Sequence, residues 1–180
     1  MSILKVARIG HPVLRSPGKA VAVETLRSAQ IQRLIDDMVE TMHEYNGVGV
    51  AAPQVHVSLR IAVIEVPADD ERAAGGVPLM VLANPVISPL SQERALGWEG
   101  CLSIPDLRGQ VPRLARLKLE ALDREGRPYV IEAADFFARV IQHECDHLDG
   151  GVYLDRMDDM RSLTFLEEFD RFRRPQQDGG

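Results

Sequence analysis

The chain has 180 residues, enough for one domain or for one domain with a tail, and its 45% hydrophobic and 27% charged residues make a globular composition with a buried core. A formal charge of −6, from 21 Lys and Arg against 27 Asp and Glu, argues against a dedicated binder of naked nucleic acid. Two cysteines (Cys101 and Cys145) exclude a disulfide framework, no apolar run approaches the roughly 20 residues that span a bilayer, and Met1 to Pro17 lacks the apolar core of a signal peptide, so a soluble, reduced, cytoplasmic protein is expected.

Ile31, Leu34, Ile35, Met38, Val39, Met42 and Tyr45 recur at three- and four-residue steps, which predicts a helix from about Ser28 to Tyr45. Ser28 suits the N-cap, and Asn46-Gly47 is a natural stop. Leu59 to Val66 reads as a strand rich in β-branched residues, Pro67 to Pro78 as a polar loop, and Leu79 to Ala83 as a second strand ended near Pro85. Arg116 to Leu122 and Arg127 to Ala133 flank a hairpin turn at Asp123 to Gly126. A second helix is expected from about Asp135 to Leu148, closed by Gly150-Gly151, and a short final helix from Arg161 to Arg174 before a frayed end at Pro175 to Gly180. Strands lying between helices without regular βαβ alternation indicate an α+β fold, with residues 1–160 as the main domain and 161–180 as a helix and tail.

The second helix carries His143-Glu144-Cys145-Asp146-His147. Residues four apart on a helix share a face, so His143 and His147 can hold one divalent metal, with Glu144 on the flank as a general base. Cys145 falls on the opposite side, as a buried thiol. Asp146 is either a carboxylate supporting the metal site or an ordinary ion-pair partner.

A catalytic site of this type needs a third ligand. Tyr153 stands where a third histidine would follow in HExxHxxGxxH, which removes that pattern. Glu167 and Glu168 have thermolysin-like spacing but lie in a charged segment that reads as a solvated face. Upstream, Glu99-Gly100-Cys101-Leu102-Ser103 offers the thiolate of Cys101. His11, His43 and His56 lie in turn-like or exposed contexts. Gly47-Val48-Gly49-Val50-Ala51-Ala52-Pro53-Gln54 matches the loose GxGxxA pattern, but it follows a helix and is cut by Pro53, so nucleotide binding is set aside. Its small residues instead suit an extended peptide added at a strand edge, with the Gln54 amide as a donor to an oxyanion.

Taken together, GVGVAAPQ (Gly47 to Gln54), EGCLS (Glu99 to Ser103) and HECDH (His143 to His147), with GHPVLR at Gly10 to Arg15, resemble the peptide deformylase family from Ile3 to about Met157. The resemblance implies mixed or antiparallel sheets packed around a central HExxH helix. It implies that Cys101, His143 and His147 bind one metal, usually Fe²⁺, with Zn²⁺, Ni²⁺ or Co²⁺ able to replace it. Glu144 would be the general acid/base, and Gln54 with the backbone N–H of Leu102 the oxyanion donors. The substrate would be the N-formylmethionyl end of a nascent polypeptide, lying along Val48 and Gly49 on one side and Glu99 and Gly100 on the other. Its methionine would sit near Phe136 and Val140, with Arg108 either near the peptide or at the surface. A nascent substrate also implies transient ribosome association, with which the basic cluster Arg171, Arg173 and Arg174 is compatible. No membrane and no specific nucleic acid is expected as a partner. The rival readings are a thermolysin-like endopeptidase using Glu167, and a non-enzyme with a structural metal or a formyl-peptide pocket.

Overall fold

The computed structural model describes residues 2–173; Arg174 and the predicted end at Pro175 to Gly180 lie outside them. Two antiparallel sheets carry the fold. The larger contains β1 (Gly49–Ala51), β2 (Ile61–Val66), β3 (Val77–Pro89), β6 (Arg116–Leu122) and β7 (Pro128–Ala134), in the order β1-β2-β3-β6-β7. The smaller contains β4 (Arg94–Cys101), β5 (Ile104–Leu114) and β8 (Thr164–Phe165), with β5 in the middle.

A single turn, α1 (Val23–Leu26), precedes α2 (Ala29–Glu44), which forms where periodicity predicts it. The Ser28 hydroxyl accepts from the Ile31 N–H at 3.4 Å, satisfying one of the free donors of the first turn. Ile35, Met38 and Met42 are fully buried, while Tyr45 lies beyond the helix end and is exposed rather than part of the stripe. Strand β2 shows why its sequence is continuously apolar. Ile61 and Val63 pack in the cluster with α2, whereas Ala62 and Ile64 pack in the cluster with α3 (Asp135–Leu148), so both faces of the strand are covered.

Strand β3 does not end near Pro85 as expected but continues to Pro89. The register shifts between Ala83 and Val86, and Asn84 there adopts a positive φ of 50°. This bulge absorbs a residue without a ladder donor, and the Asn84 side chain ties it to the backbone N–H and C=O of Val21 at 2.9 and 2.8 Å. The β6–β7 hairpin forms about the predicted turn.

Helix α3 spans the predicted residues and touches β1, β2, β3, β6 and β7 of the larger sheet and β5 of the smaller one. Periodicity gave no sign of the long β4–β5 hairpin. The predicted final helix is shorter than expected: Thr164 and Phe165 pair with Arg108 and Leu107 of β5, so α4 begins only at Leu166 and runs to Phe172. Phe169 of α4 stacks edge-on against Trp98 at 4.8 Å. Among the described residues no helix is long and apolar enough to cross a membrane.

Candidate active site and metal centre

The last turns of α3 place the rings of His143 and His147 with centroids 5.1 Å apart. Cys101, at the end of β4, brings its Sγ within 3.2 Å of His147 Nε2. Ligand atoms of Cys101, His143 and His147 all lie within 4.8 Å of one another, and this is the one such His/Cys/carboxylate group among the described residues.

The orientation of His143 is set from behind. Its Nδ1 is 2.9 Å from Glu99 Oε2, so it donates to that carboxylate and turns Nε2 towards the cluster. Glu99 is buried yet stays ionised. Burial raises the pKa of its carboxyl, but hydrogen bonds from Arg113 and His143 outweigh burial and hold it well below the usual range. Arg113 grips both oxygens, through Nε at 2.8 Å and Nη2 at 2.9 Å, and Arg139 Nη1 adds a third donor at 2.8 Å. Arg113 Nη1 continues to Asp146 Oδ2 at 2.6 Å, whose other oxygen accepts from Arg156 at 3.0 and 2.8 Å. Asp146 is thus an ion-pair partner, joined to the histidine only through Arg113 and Glu99.

Burial by itself raises the pKa of the Cys101 thiol, but the neighbouring His147 and His143 hold it well below its ordinary value, as a thiolate needs. The N–H of Ser103 and the amide of Gln54 both donate to its sulfur at 3.4 Å. Gln54 is fixed in turn: its Oε1 accepts from the Ala51 N–H at 2.8 Å, which aims Nε2 at Cys101 and at Ser103 Oγ, 3.2 Å away. Glu144 is buried with one carboxylate oxygen, Oε2, lacking any hydrogen-bond partner. Burial pushes its pKa up to about 7. A Cβ at Gly49 would overlap the other oxygen, so glycine is required where β1 passes this carboxylate.

The donor set suits a divalent transition metal: one thiolate and two imidazoles, one imidazole held in a fixed orientation by a buried carboxylate. The Glu144 carboxylate, with its Oε2 unpartnered, provides an acid/base group whose pKa lies near neutrality.

The fold therefore gathers Cys101, His143, His147, Glu144 and Gln54. Leu102 lies in the turn joining β4 to β5, half-buried, with its side chain against Gly47. Val48 and Gly49 belong to the segment of β1, and Glu99 and Gly100 to that of β4; both strands are edges of their sheets. The Glu99 side chain is wholly committed to Arg113, Arg139 and His143, while Gly100 sits beneath the Arg108 guanidinium. Glu167 and Glu168 are exposed on α4 and outside the cluster, which removes the thermolysin-like ligand set. Tyr153 is buried and stacks on the His143 ring at 6.2 Å. His11 pairs edge-on with His56, and His43 pairs with Glu65. Cys145 points into the apolar cluster as expected, and burial pushes its pKa up to about 12. Sequence reading missed Arg113 and Arg139. For Arg139 a signal existed, since an arginine four residues before His143 shares the histidine's face of a helix that is otherwise largely apolar there.

A family model described as polypeptide deformylase matches residues 3–162. The chain belongs to the polypeptide deformylase family. It is 42% identical to peptide deformylase 2 of Pseudomonas putida over 166 residues, 92% of this chain and 93% of that one. Among solved structures, it resembles a class I type b peptide deformylase from Acinetobacter baumannii bound to Met-Ala-Ser, with a TM-score of 0.81 and 38% identity over 87% of this chain and 100% of that one. It also resembles the Ehrlichia chaffeensis peptide deformylase in complex with actinonin, with a TM-score of 0.79 and 36% identity over 90% and 92% of the two chains. The chain is accordingly an enzyme, a hydrolase that removes N-formyl groups from nascent polypeptides in the metal-dependent manner of its family.

Proposed function

We propose that Cys101, His143 and His147 hold one divalent cation, Fe²⁺ in the cell with Zn²⁺, Ni²⁺ or Co²⁺ able to replace it, and that Glu144, Gln54 and Leu102 carry out the deformylation of an N-formylmethionyl peptide. The observation that carries this reading is the meeting of the Cys101 sulfur with the imidazole of His147 at 3.2 Å, beside a buried Glu144 carboxylate that has a free oxygen.

A cation in this donor set supplies Lewis acidity, which makes water a nucleophile at neutral pH and polarises the formyl carbonyl. Glu144, with a pKa near neutrality, accepts the proton of the attacking water. The Gln54 amide, locked by the Ala51 N–H, and the N–H of Leu102 donate to the oxyanion as charge develops on the formyl oxygen. Glu144 then returns the proton to the departing nitrogen. The C–N bond breaks, water's oxygen leaves in formate, and the peptide keeps a free amino terminus.

The peptide backbone lies as an added strand along Val48 and Gly49 and along Glu99 and Gly100, the edges of two different sheets. The methionine side chain lies towards Phe136 and Val140. The Met-Ala-Ser complex of the Acinetobacter relative supports a peptide ligand of this kind. Residues 1–160 form the catalytic domain in this reading, with 161–180 an appended helix and tail. The enzyme acts in the cytoplasm, meeting nascent chains by transient association with the ribosome.

Replacing Glu144→Gln tests the assignment. Metal content should match the parent protein, and formate release from a formyl-Met peptide should fall by about 10²- to 10⁴-fold. Unchanged turnover would remove Glu144 from its role. Metal analysis of Cys101→Ser against Glu167→Gln separates the deformylase site from the endopeptidase one, since only the Cys101 change should empty it.

A further inference from the structure

We propose that Arg139 is a positioning residue for the metal centre, fixing the register between the strand that presents Cys101 and the helix that presents His143 and His147. The proposal rests on the ligand assignment above. The two kinds of ligand come from separate elements, Cys101 from β4 and the histidines from α3. Gln142 and Asp146 tie α3 to β5, through the backbone of Leu114 and through Arg113, and His143 reaches the Glu99 side chain, but the backbone of β4, the strand that carries Cys101, needs a tie of its own.

Arg139 joins them directly. It is 8% exposed and stands one turn before His143, on the same face of α3. Its guanidinium donates to the backbone carbonyl of Ala95 at 2.7 Å, of Val111 at 2.7 Å and of Gly97 at 3.3 Å, and to Glu99 Oε1 at 2.8 Å. All four acceptors lie on the β4–β5 hairpin. Charge alone does not explain the residue, because Arg113 already donates to both Glu99 oxygens. The distinct contribution of Arg139 is its hold on three main-chain carbonyls. The guanidinium spreads its bonds over two nitrogens, Nη2 to Ala95 and Nη1 to Gly97, Val111 and Glu99, a span that the single nitrogen of a lysine lacks.

The strand is shaped to receive this fork. A Cβ at Gly97 would lie 2.7 Å from Arg139 Nη2 and 2.8 Å from its Cζ. Glycine at 97 therefore lets the guanidinium come close against β4, four residues before Cys101. Two substitutions on different elements should then disturb the same metal geometry, although neither residue touches the ion.

The test uses the full-length protein substituted with Co²⁺. Metal affinity is measured by chelator competition, and the thiolate-to-cobalt charge-transfer band reports the Cys101 bond. The melting temperature of the metal-free protein reports fold stability separately. Arg139→Leu should weaken Co²⁺ binding by roughly ten- to a hundredfold, the usual range for a support behind a metal ligand, and should shift or weaken the band. Gly97→Ala should act in the same direction with every charge retained, and Arg139→Lys should fall between Leu and the parent. Where Arg139→Leu fails to fold, the Gly97→Ala and Arg139→Lys proteins decide the matter. Parent-like affinity and band in these variants, with only the melting temperature lowered, would overturn the proposal. A Cys101→Ser protein that kept the band would instead overturn the ligand assignment, whatever the arginine variants did.

Discussion

On one side of α3, Ala138, Ile141, Cys145 and Leu148 press into the apolar cluster beneath the larger sheet. On the other, Arg139, Gln142 and Asp146 are also buried but meet charged and polar partners: Glu99, Arg113 and the backbone of β5. The first side gains stability from removing hydrocarbon from water, a force without direction. The second gains little net stability, because ions and amides leave water only to find replacement partners, but its hydrogen bonds have fixed geometry. His143, Glu144 and His147 lie between the two. The apolar side anchors the helix, and the charged side, through Glu99, determines where His143 points.

The two cysteines mark the two environments most sharply. In metal-free protein, His147 and His143 outweigh burial and hold the Cys101 thiol well below its ordinary pKa, whereas burial pushes that of Cys145 up to about 12. Iodoacetamide should label Cys101 faster than Cys145, bound metal should protect Cys101, and Cys145 should react only on unfolding; peptide mapping by mass spectrometry reads the result. Equal labelling would erase the contrast.

Removing a charge from the polar side should cost more stability than trimming the apolar one. Arg113→Met leaves Glu99 and Asp146 short of their shared partner and should destabilise by about 3–5 kcal/mol in denaturant unfolding, with metal content falling too. Ile141→Val should cost about 0.5–1.5 kcal/mol while leaving the deformylation rate per folded molecule unchanged. A matched loss of activity there would mean that the apolar side also tunes the site. The smallest effect belongs to the surface. Burial opposes it, but Arg15 and the Val152 N–H hold Asp155 below its ordinary pKa. Its contribution is therefore complete above the unfolded-state value and is lost as pH falls through the folded one. Urea unfolding of Asp155→Asn should show a slight loss at neutral pH and none below the aspartate range.

Helices α2 and α3 and the β6–β7 hairpin were legible because each satisfies a local rule: an apolar stripe, a capping serine, a turn of Asp and Gly. The β4–β5 hairpin obeys no such rule. Its inward side chains include Glu99 and Arg113, so alternation of apolar and polar residues never develops, and Pro105 and Pro112 read as breaks. Charged residues become interior only when they find each other across the fold, and neither sequence position nor residue type announces that. The three motifs could be read as separate pieces of chemistry. Their convergence came from family resemblance, since spacing alone left the third ligand open between Cys101 and Glu167.

The geometry also bears on how the enzyme comes into being. Gly49 and Gln54 precede β2, Cys101 ends β4, and His143, Glu144 and His147 come near the close of α3, so no contiguous stretch of chain contains the whole reactive centre. A copy truncated before α3 lacks His143, Glu144 and His147 altogether. The centre is complete only once all three segments have docked.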